Sequence, residues 1–412
     1  MRVHGLVLLL VGLSVQFCVI GIAPLWVWGV PYELRQQSPG AAAEYFSQGI
    51  LLLKKGDSKG AEAALRKSLK LIPNHVGALA GLAEALQQQG RHQEARETIQ
   101  QALVLQPKNG ALHRAWGRYL LSQKEFTQAE DAFLKAIQLN AKDAAAYIDL
   151  GNLYLGGLNR PDQAAQSFGT AVTLAPKEAN AHFGLGASYA LLKRTKEAFT
   201  ELDKTVRLAP NNPVAYLALG NLHKEQKSYD KALAAYTSAL KIEPRFVDAL
   251  MAKGDLQAAQ GNLDGAKLSY HSVIDLNPNH AYAYNNLAWI AAEQKTQLED
   301  AVVWAKKAVS LAPSVPPFKD TLAWVYRARG DLRQAAETLT AALSATADDP
   351  MMTYHFGIVL AEQGKTSEAI ETLKKAARLH LDPALAKDAE QRIRILSSGQ
   401  SSDDLELNLN PA

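Results

Sequence analysis

Small residues return along this chain every 34 residues. In the stretch LGNLHKEQKSYDKALAAYTSALKIEP, Gly220, Ala232 and Ala239 are spaced twelve and seven apart, and Pro244 closes the segment. The same spacing starts at Gly49, Ala61, Ser68 and Pro73, and it runs on to Gly357, Ala369 and Ala376. Copies begin at residues 42, 76, 110, 144, 179, 213, 247, 281, 316 and 350. Each reads as two short amphipathic helices, A and B, joined by a polar turn. No single pair of this size buries its apolar face, so neighbours must stack to make a continuous core. The fourth and eighth copies hold one extra residue, in the turns GGLNRPDQ and EQKTQLED.

This spacing resembles the tetratricopeptide (TPR) family, whose period is 34 residues per helix–turn–helix. The resemblance covers 42–383, about four fifths of the chain. Departures are local: Ala141, Ala347 and Leu381 replace the closing proline, and the tryptophan typical of helix A is often Tyr147, His182, Tyr216 or Tyr284. The resemblance implies an all-α, right-handed α-solenoid with its concave face lined by the A helices. The small residues at positions 8 and 20 are expected where the A and B backbones approach most closely, with large ones such as Leu219 and Tyr236 beside them. The proline cannot donate to the preceding turn and ends helix B. Residues 384–396 read as a capping helix, and 397–412 as a disordered acidic tail.

The start of the chain differs. No acidic or basic side chain occurs between Gly5 and Tyr32. Residues 5–30 would span roughly 39 Å as a helix, more than the roughly 30 Å hydrocarbon core. Trp26, Trp28 and Tyr32 cluster where amphipathic rings settle at an interface. Residues 1–30 are therefore expected to be an N-terminal transmembrane helix, an anchor rather than a cleaved signal, since Pro24 follows the best small-x-small site, Gly21 and Ala23. Residues 31–41 read as a linker. Arg2 and Arg35 nearly balance across the segment; the basic start leans toward a periplasmic repeat domain on a single-pass bacterial inner-membrane protein, and a cytoplasm-facing domain stays open.

Several chemistries find no support. Net charge is +3 with both signs interspersed, so no basic face for nucleic acid emerges. Cys18 is the single cysteine, and the ten histidines show no HExxH spacing, so no metal or cofactor is expected. Gly364-Lys365-Thr366 lacks the glycine a phosphate loop needs five residues earlier, where Val359 stands. Gly184 and Gly186 lack the third glycine of a dinucleotide fingerprint, where Tyr189 stands. His113 and His182 read as packing residues. No nucleophile–base–acid set emerges, and the chain reads as a non-enzyme.

What remains is the groove. Positions 2, 5, 9, 12 and 13 of each A helix face it in this family. They give Asn152, Phe183, Asn221 and Lys224 in the middle repeats, then Tyr282, Asn285, Trp289, Asp320, Trp324, Arg327 and Tyr354. Amides that bond a peptide backbone and aromatic contact area suit an extended protein segment as partner. Trp289 and Trp324 could equally pack between adjacent A helices. The chaperone-tail clamp of cytosolic TPR proteins needs Lys and Asn at positions 5 and 9; this chain has Phe46 and Ile50, Ala80 and Glu84, then Arg114 and Arg118, and no copy supplies the pair.

The phrases DTLAWVYRARGDLRQAAETL and NNLAWIAAEQKTQLEDAVVWAKKAVSLAP resemble bacterial TPR proteins linked to envelope and exopolysaccharide systems, among them those accompanying exosortase-type (PEP-CTERM) sorting loci. That implies a membrane-anchored scaffold in assembly or export of surface material. Two alternatives are a cytoplasm-facing adaptor regulating a membrane enzyme or protease, and a substrate-presenting subunit of a glycosyltransferase system. The first resembles TPR proteins ending in a cysteine-paired zinc module, and no cysteine follows Cys18. The second requires a catalytic domain, and 29 residues follow Pro383.

Overall fold

The computed structural model describes residues 39–346 and 348–398, and these carry 21 α-helices and no strand. The expected membrane anchor, most of the linker and most of the acidic tail lie outside the described residues. Among the described residues no helix is long and apolar enough to cross a membrane. The chain divides into two compact units, the first reaching to Leu222 and the second starting at His223.

In the first unit the A helices are α1 (Pro39–Lys54), α3 (Val76–Gln88), α5 (Gly110–Ser122), α7 (Ala144–Asn152) and α9 (Ala179–Leu191). Their B partners are α2 (Ser58–Leu71), α4 (His92–Leu105), α6 (Phe126–Leu139), α8 (Pro161–Leu174) and α10 (Thr195–Leu208). Helix α11 (Pro213–Glu225) carries the boundary. The second unit continues with α12 (Tyr229–Ile242), α13 (Val247–Ala259), α14 (Leu263–Leu276), α15 (Ala281–Glu293) and α16 (Leu298–Leu311). It ends with α17 (Pro316–Arg329), α18 (Leu332–Leu343), α19 (Pro350–Glu362), α20 (Thr366–Arg378) and α21 (Pro383–Ser397). Helix α1 thus takes in residues 39–41, which the sequence reading placed in the linker. Helix α21 extends one residue beyond each end of the expected cap.

The periodic small residues explain the hairpins. Alanine at position 20 is fully buried in all ten repeats, from Ala61 to Ala369. Position 27 is equally closed, and where it is Ser68 the hydroxyl donates to the Ala42 carbonyl at 2.8 Å. The glycine at position 8 serves a different contact from the one expected. A Cβ on Gly117 would lie 2.6 Å from the Phe133 ring, one on Gly254 2.8 Å from Tyr270, and one on Gly357 2.7 Å from Leu373. The glycine makes room for the large side chain at position 24 of helix B, not for the backbone at position 20. Phe168 is held twice, since a Cβ on Gly151 or on Gly184 would meet its ring at 2.8 and 2.3 Å. That accounts for Gly184, and Gly186 makes room for Leu202, 2.9 Å from where its Cβ would lie, so neither needs a nucleotide.

Turns and ends follow simple rules. Position 15 takes a left-handed backbone, as Gly56, Gly90, Gly261, Gly330 and Gly364 in five repeats and as Lys124, Lys193 and Lys227 in three others. Gly364 of the phosphate-loop look-alike is thus a turn residue with φ 75°. Helix B stops two residues before the closing proline, at Leu71, Leu105 and Leu174, and α6 stops at Leu139 although Ala141 replaces the proline. There the Asn140 N–H still donates to the Ala136 carbonyl.

The two extra residues are absorbed differently. In the eighth repeat the turn takes it, with Lys295 and Gln297 both left-handed. In the fourth, α7 widens into a π-helix over Leu153–Gly157, closed by the Leu158 N–H donating to Leu153. The sequence reading placed that residue in the turn. The insertion is placed inside the helix because Leu153, Tyr154 and Leu155 stay buried that way.

Candidate functional site

Successive A helices pack directly on one another in both units, as α1 on α3, α15 on α17 and α17 on α19, while successive B helices do not pack in this way. The A helices therefore form the inner side of each stack, and their unburied faces are where a partner segment can lie.

The inner face of the first unit is built from charges. Arg118 lies 3.6 Å from Glu84, and Arg114 lies 3.2 Å from Asp143 and 3.9 Å from Asp149. Burial pushes the Asp149 carboxyl up to about 6, against the pull of Arg118 and Arg114. Asn152 sits almost one turn beyond Asp149, half-buried on α7, and Phe183 is half-buried on α9. Deeper in, His182 is buried, with Nδ1 2.5 Å from Glu201 and Nε2 3.0 Å from the Pro176 carbonyl. Burial alone would raise the Glu201 carboxyl, but bonds from Lys204 and His182 outweigh it and hold it below the ordinary carboxylate value. His113, four residues into its repeat like His182, makes the same 2.8 Å contact with the Pro107 carbonyl. These histidines are packing residues. Among the described residues no group of three or more His, Cys, Asp or Glu could hold a metal ion.

The inner face of the second unit is aromatic. Trp289 of α15 and Trp324 of α17 stack with centroids 6.0 Å apart and planes 13° apart. Trp324 in turn stacks on His355 of α19 at 4.2 Å. Arg327 lies over the Trp324 ring at 4.3 Å and is held by Glu362, which accepts from its Nε at 2.8 Å. The Trp324 indole N–H donates to Glu293 at 2.6 Å. The two tryptophans therefore pack between A helices, yet both stay half-buried with ring surface open. Tyr282, 39% exposed, sits edge-on to Phe318 at 5.0 Å.

Two expected groove residues are not surface groups. Asp320 is buried and accepts from His355 Nδ1 at 2.8 and 2.9 Å. Tyr354 is buried and donates to Asp388 of the capping helix. Each satisfies a neighbouring polar group inside the stack. Lys224 is exposed and Asn221 half-buried on α11.

Beside Trp289, between α13 and α15, a pocket of about 250 Å³ is lined by Asp255, Ala258, Tyr270, Asn285, Asn286, Trp289 and Ile290. Tyr270 OH donates to Asp255 Oδ1 at 2.8 Å and Asn286 Nδ2 donates to the same oxygen at 3.1 Å. Asn285 Nδ2 donates to Asn286 Oδ1 at 3.4 Å. The Asn285 Oδ1 is buried without a bonding partner. Burial, reinforced by the Asp255 charge, pushes the Tyr270 phenol well above its ordinary value, so it remains a donor. Of these residues the sequence reading found Asn285 and Trp289. Asp255 stands at position 9 of its repeat and was open to the same reasoning; Asn286 and His355 stand at position 6, outside the positions that reasoning covers.

Models of the tetratricopeptide repeat match residues 52–116, 153–213, 213–246, 248–280, 281–315 and 321–386. The type IV pilus assembly protein PilF of Pseudomonas aeruginosa is 28% identical over 132 residues, 32% of this chain and 52% of PilF. Anaphase-promoting complex subunit 3 of Schizosaccharomyces pombe is 24% identical over 159 residues, 39% of this chain and 24% of that subunit. The chain thus spans about half or less of the length of these curated relatives. The solved structure of Pseudomonas aeruginosa pilF aligns over 53% of this chain and 97% of its own at 22% identity, with a TM-score of 0.46. That of YrrB, described as a TPR protein with an unusual peptide-binding site, aligns over 45% and 94% at 28% identity, with a TM-score of 0.37.

Proposed function

The chain belongs to the tetratricopeptide-repeat family, and from that premise we propose that it is a scaffold holding extended segments of other proteins against the inner faces of its A helices. The observation that carries the reading is the half-buried aromatic row of the second unit, Trp289 on Trp324, with Tyr282 on the same helix as Trp289. Aromatic surface on a rigid helical layer gives contact area at small conformational cost. No catalytic step is assigned to any residue.

The long uncharged run of residues 5–30 supports anchoring in a bacterial inner membrane with the repeats in the periplasm, the opposite orientation being the alternative. The likeness to a pilus assembly protein supports an envelope role, as assembly or export of surface material would be. In that reading full-length chain is found in membranes, extractable by detergent and not by carbonate; a soluble mature protein beginning near residue 24 or 30 overturns it. For the scaffold itself, the test is co-purification of wild type against Tyr282→Ala with Trp289→Ala. Partners should be lost while the helical signal is kept and the chain stays folded, with Tm lowered by the lost ring packing. The same set of partners on a folded double variant contradicts the groove reading.

A further inference from the structure

We propose that the pocket between α13 and α15 is a specificity pocket for one basic side chain, lysine or arginine, of the bound segment; this rests on the groove reading above. A carboxylate only accepts, so Asn286 must turn its NH₂ toward Asp255 Oδ1, as the 3.1 Å bond shows. That leaves Asn286 Oδ1 facing Asn285, which must also present its NH₂, at 3.4 Å. The carboxylate thus fixes the polarity of both amides, and the end of the relay is an acceptor, the buried and unpartnered Asn285 Oδ1. Tyr270 donates into the same Asp255 oxygen and offers the pocket no further proton.

Each amide NH₂ keeps one further proton, and the Asp255 carboxylate is the charged group on a lining that contains no Lys or Arg and is walled by the Trp289 ring. An ammonium or guanidinium supplies donors, meets the Asp255 charge and gains attraction from the indole face. A carboxylate would meet repulsion there, and an aliphatic side chain would leave the Asp255 charge without a counter-charge. At 250 Å³ the pocket takes a side chain rather than a folded element.

The experiment selects random ten-residue peptides displayed on phage against the full-length protein, then measures synthetic copies of those retained. The expected outcome is a basic residue at one fixed place in the retained peptides. Replacing it by norleucine or citrulline should weaken binding about ten- to a hundredfold, the range for a bond to a charged group. Asp255→Asn should remove that discrimination, while Asp264→Asn, on exposed helix α14 surface, should keep it. If Asp255→Asn does not fold, the paired peptides on wild-type protein decide, since moving the lysine one place along should cost as much as removing it. Retained peptides without a fixed basic residue overturn the pocket and leave the groove reading standing. Equal losses from Asp255→Asn and Asp264→Asn point to general charge attraction and overturn it as well. Retention of no peptide at all overturns the groove reading, and the pocket with it.

Discussion

The inner faces of the two units are made from different chemistry. In the first, Arg114 and Arg118 face Glu84, Asp143 and Asp149, so charge on one A helix answers charge on the next. In the second, the corresponding positions carry Trp289 and Trp324, and an acceptor is left over at Asn285. Both solutions hold A helices side by side. Paired charges satisfy themselves and leave little for a partner, whereas stacked rings still present an open face and the amide relay ends unsatisfied. The lesson is that one repeat period can build a closed strip and a receptive one, told apart by whether paired charges or open rings line the inner face.

The largest effect should come from Trp324→Ala. It removes the ring between Trp289 and His355, the seat of Arg327 and the donor to Glu293. A loss of about 3 kcal/mol is expected, at the low end for a large aromatic because the ring is only half-buried. Chemical denaturation with hydrogen exchange should place the loss in α15, α17 and α19. A loss felt equally in the first unit would break the comparison.

Next come Gly117→Ala in the first unit and Gly254→Ala in the second, each placing a Cβ under 3.0 Å from an aromatic ring. Both should destabilise, by roughly 1–3 kcal/mol, because position 8 obeys the same packing rule in both units. A neutral result in either, by thermal melting, would show that the position-24 ring can move aside there.

Asp149→Asn sharpens the comparison from the charged side. The folded carboxyl, held at about 6, binds its proton more tightly than an ordinary aspartate at 3.8. Stability from this group is therefore full below about pH 4 and is lost as pH rises through 6. At neutral pH the substitution should raise stability by about 1–2 kcal/mol, below the roughly 3 kcal/mol ceiling that the shift allows. It should also flatten the pH 4–6 slope of the first unit. A steeper slope in the variant would mean that Arg114 and Arg118 stabilise the charged form after all.

The smallest effect belongs to the turns. Lys124 holds φ 61° at the position where five repeats carry glycine. Lys124→Gly should stabilise by under about 1 kcal/mol, since the strain relieved is partly offset by a freer unfolded chain. Thermal melting resolves the sign.

Much of this was legible beforehand because the period is a packing constraint. Alanine at position 20 is buried in every repeat because no larger side chain fits the hairpin. Part of the glycine rule is written in the chain: the aromatic position-24 residues Phe133, Phe168, Tyr236 and Tyr270 each follow a position-8 glycine, although leucine follows glycine at Leu65, Leu202 and Leu373 and alanine at Leu339. The site was less legible. Position numbers name the side of a helix but not the depth, so buried Asp320 and Tyr354 looked like half-buried Trp324. The His355 contribution depends on how closely α17 and α19 stack, and the amide relay depends on Asp255 and Asn286 lying 31 residues apart in sequence. Neither distance is carried by a repeat pattern. The π-turn of α7 was missed for a related reason, since an insertion goes where buried leucines can stay buried.

The central claim is that partner segments lie on the inner face of the second unit, and photo-cross-linking in the living host tests it most directly. A benzophenone amino acid would be placed at Tyr282 on the inner face, at Arg118 on the inner face of the first unit, and at Leu268 on helix B, where the side chain is 71% exposed. The account predicts a discrete cross-linked partner from Tyr282, little from Arg118 and none from Leu268. The same partner captured from Leu268 and not from Tyr282 would put binding on the outer helices and contradict it.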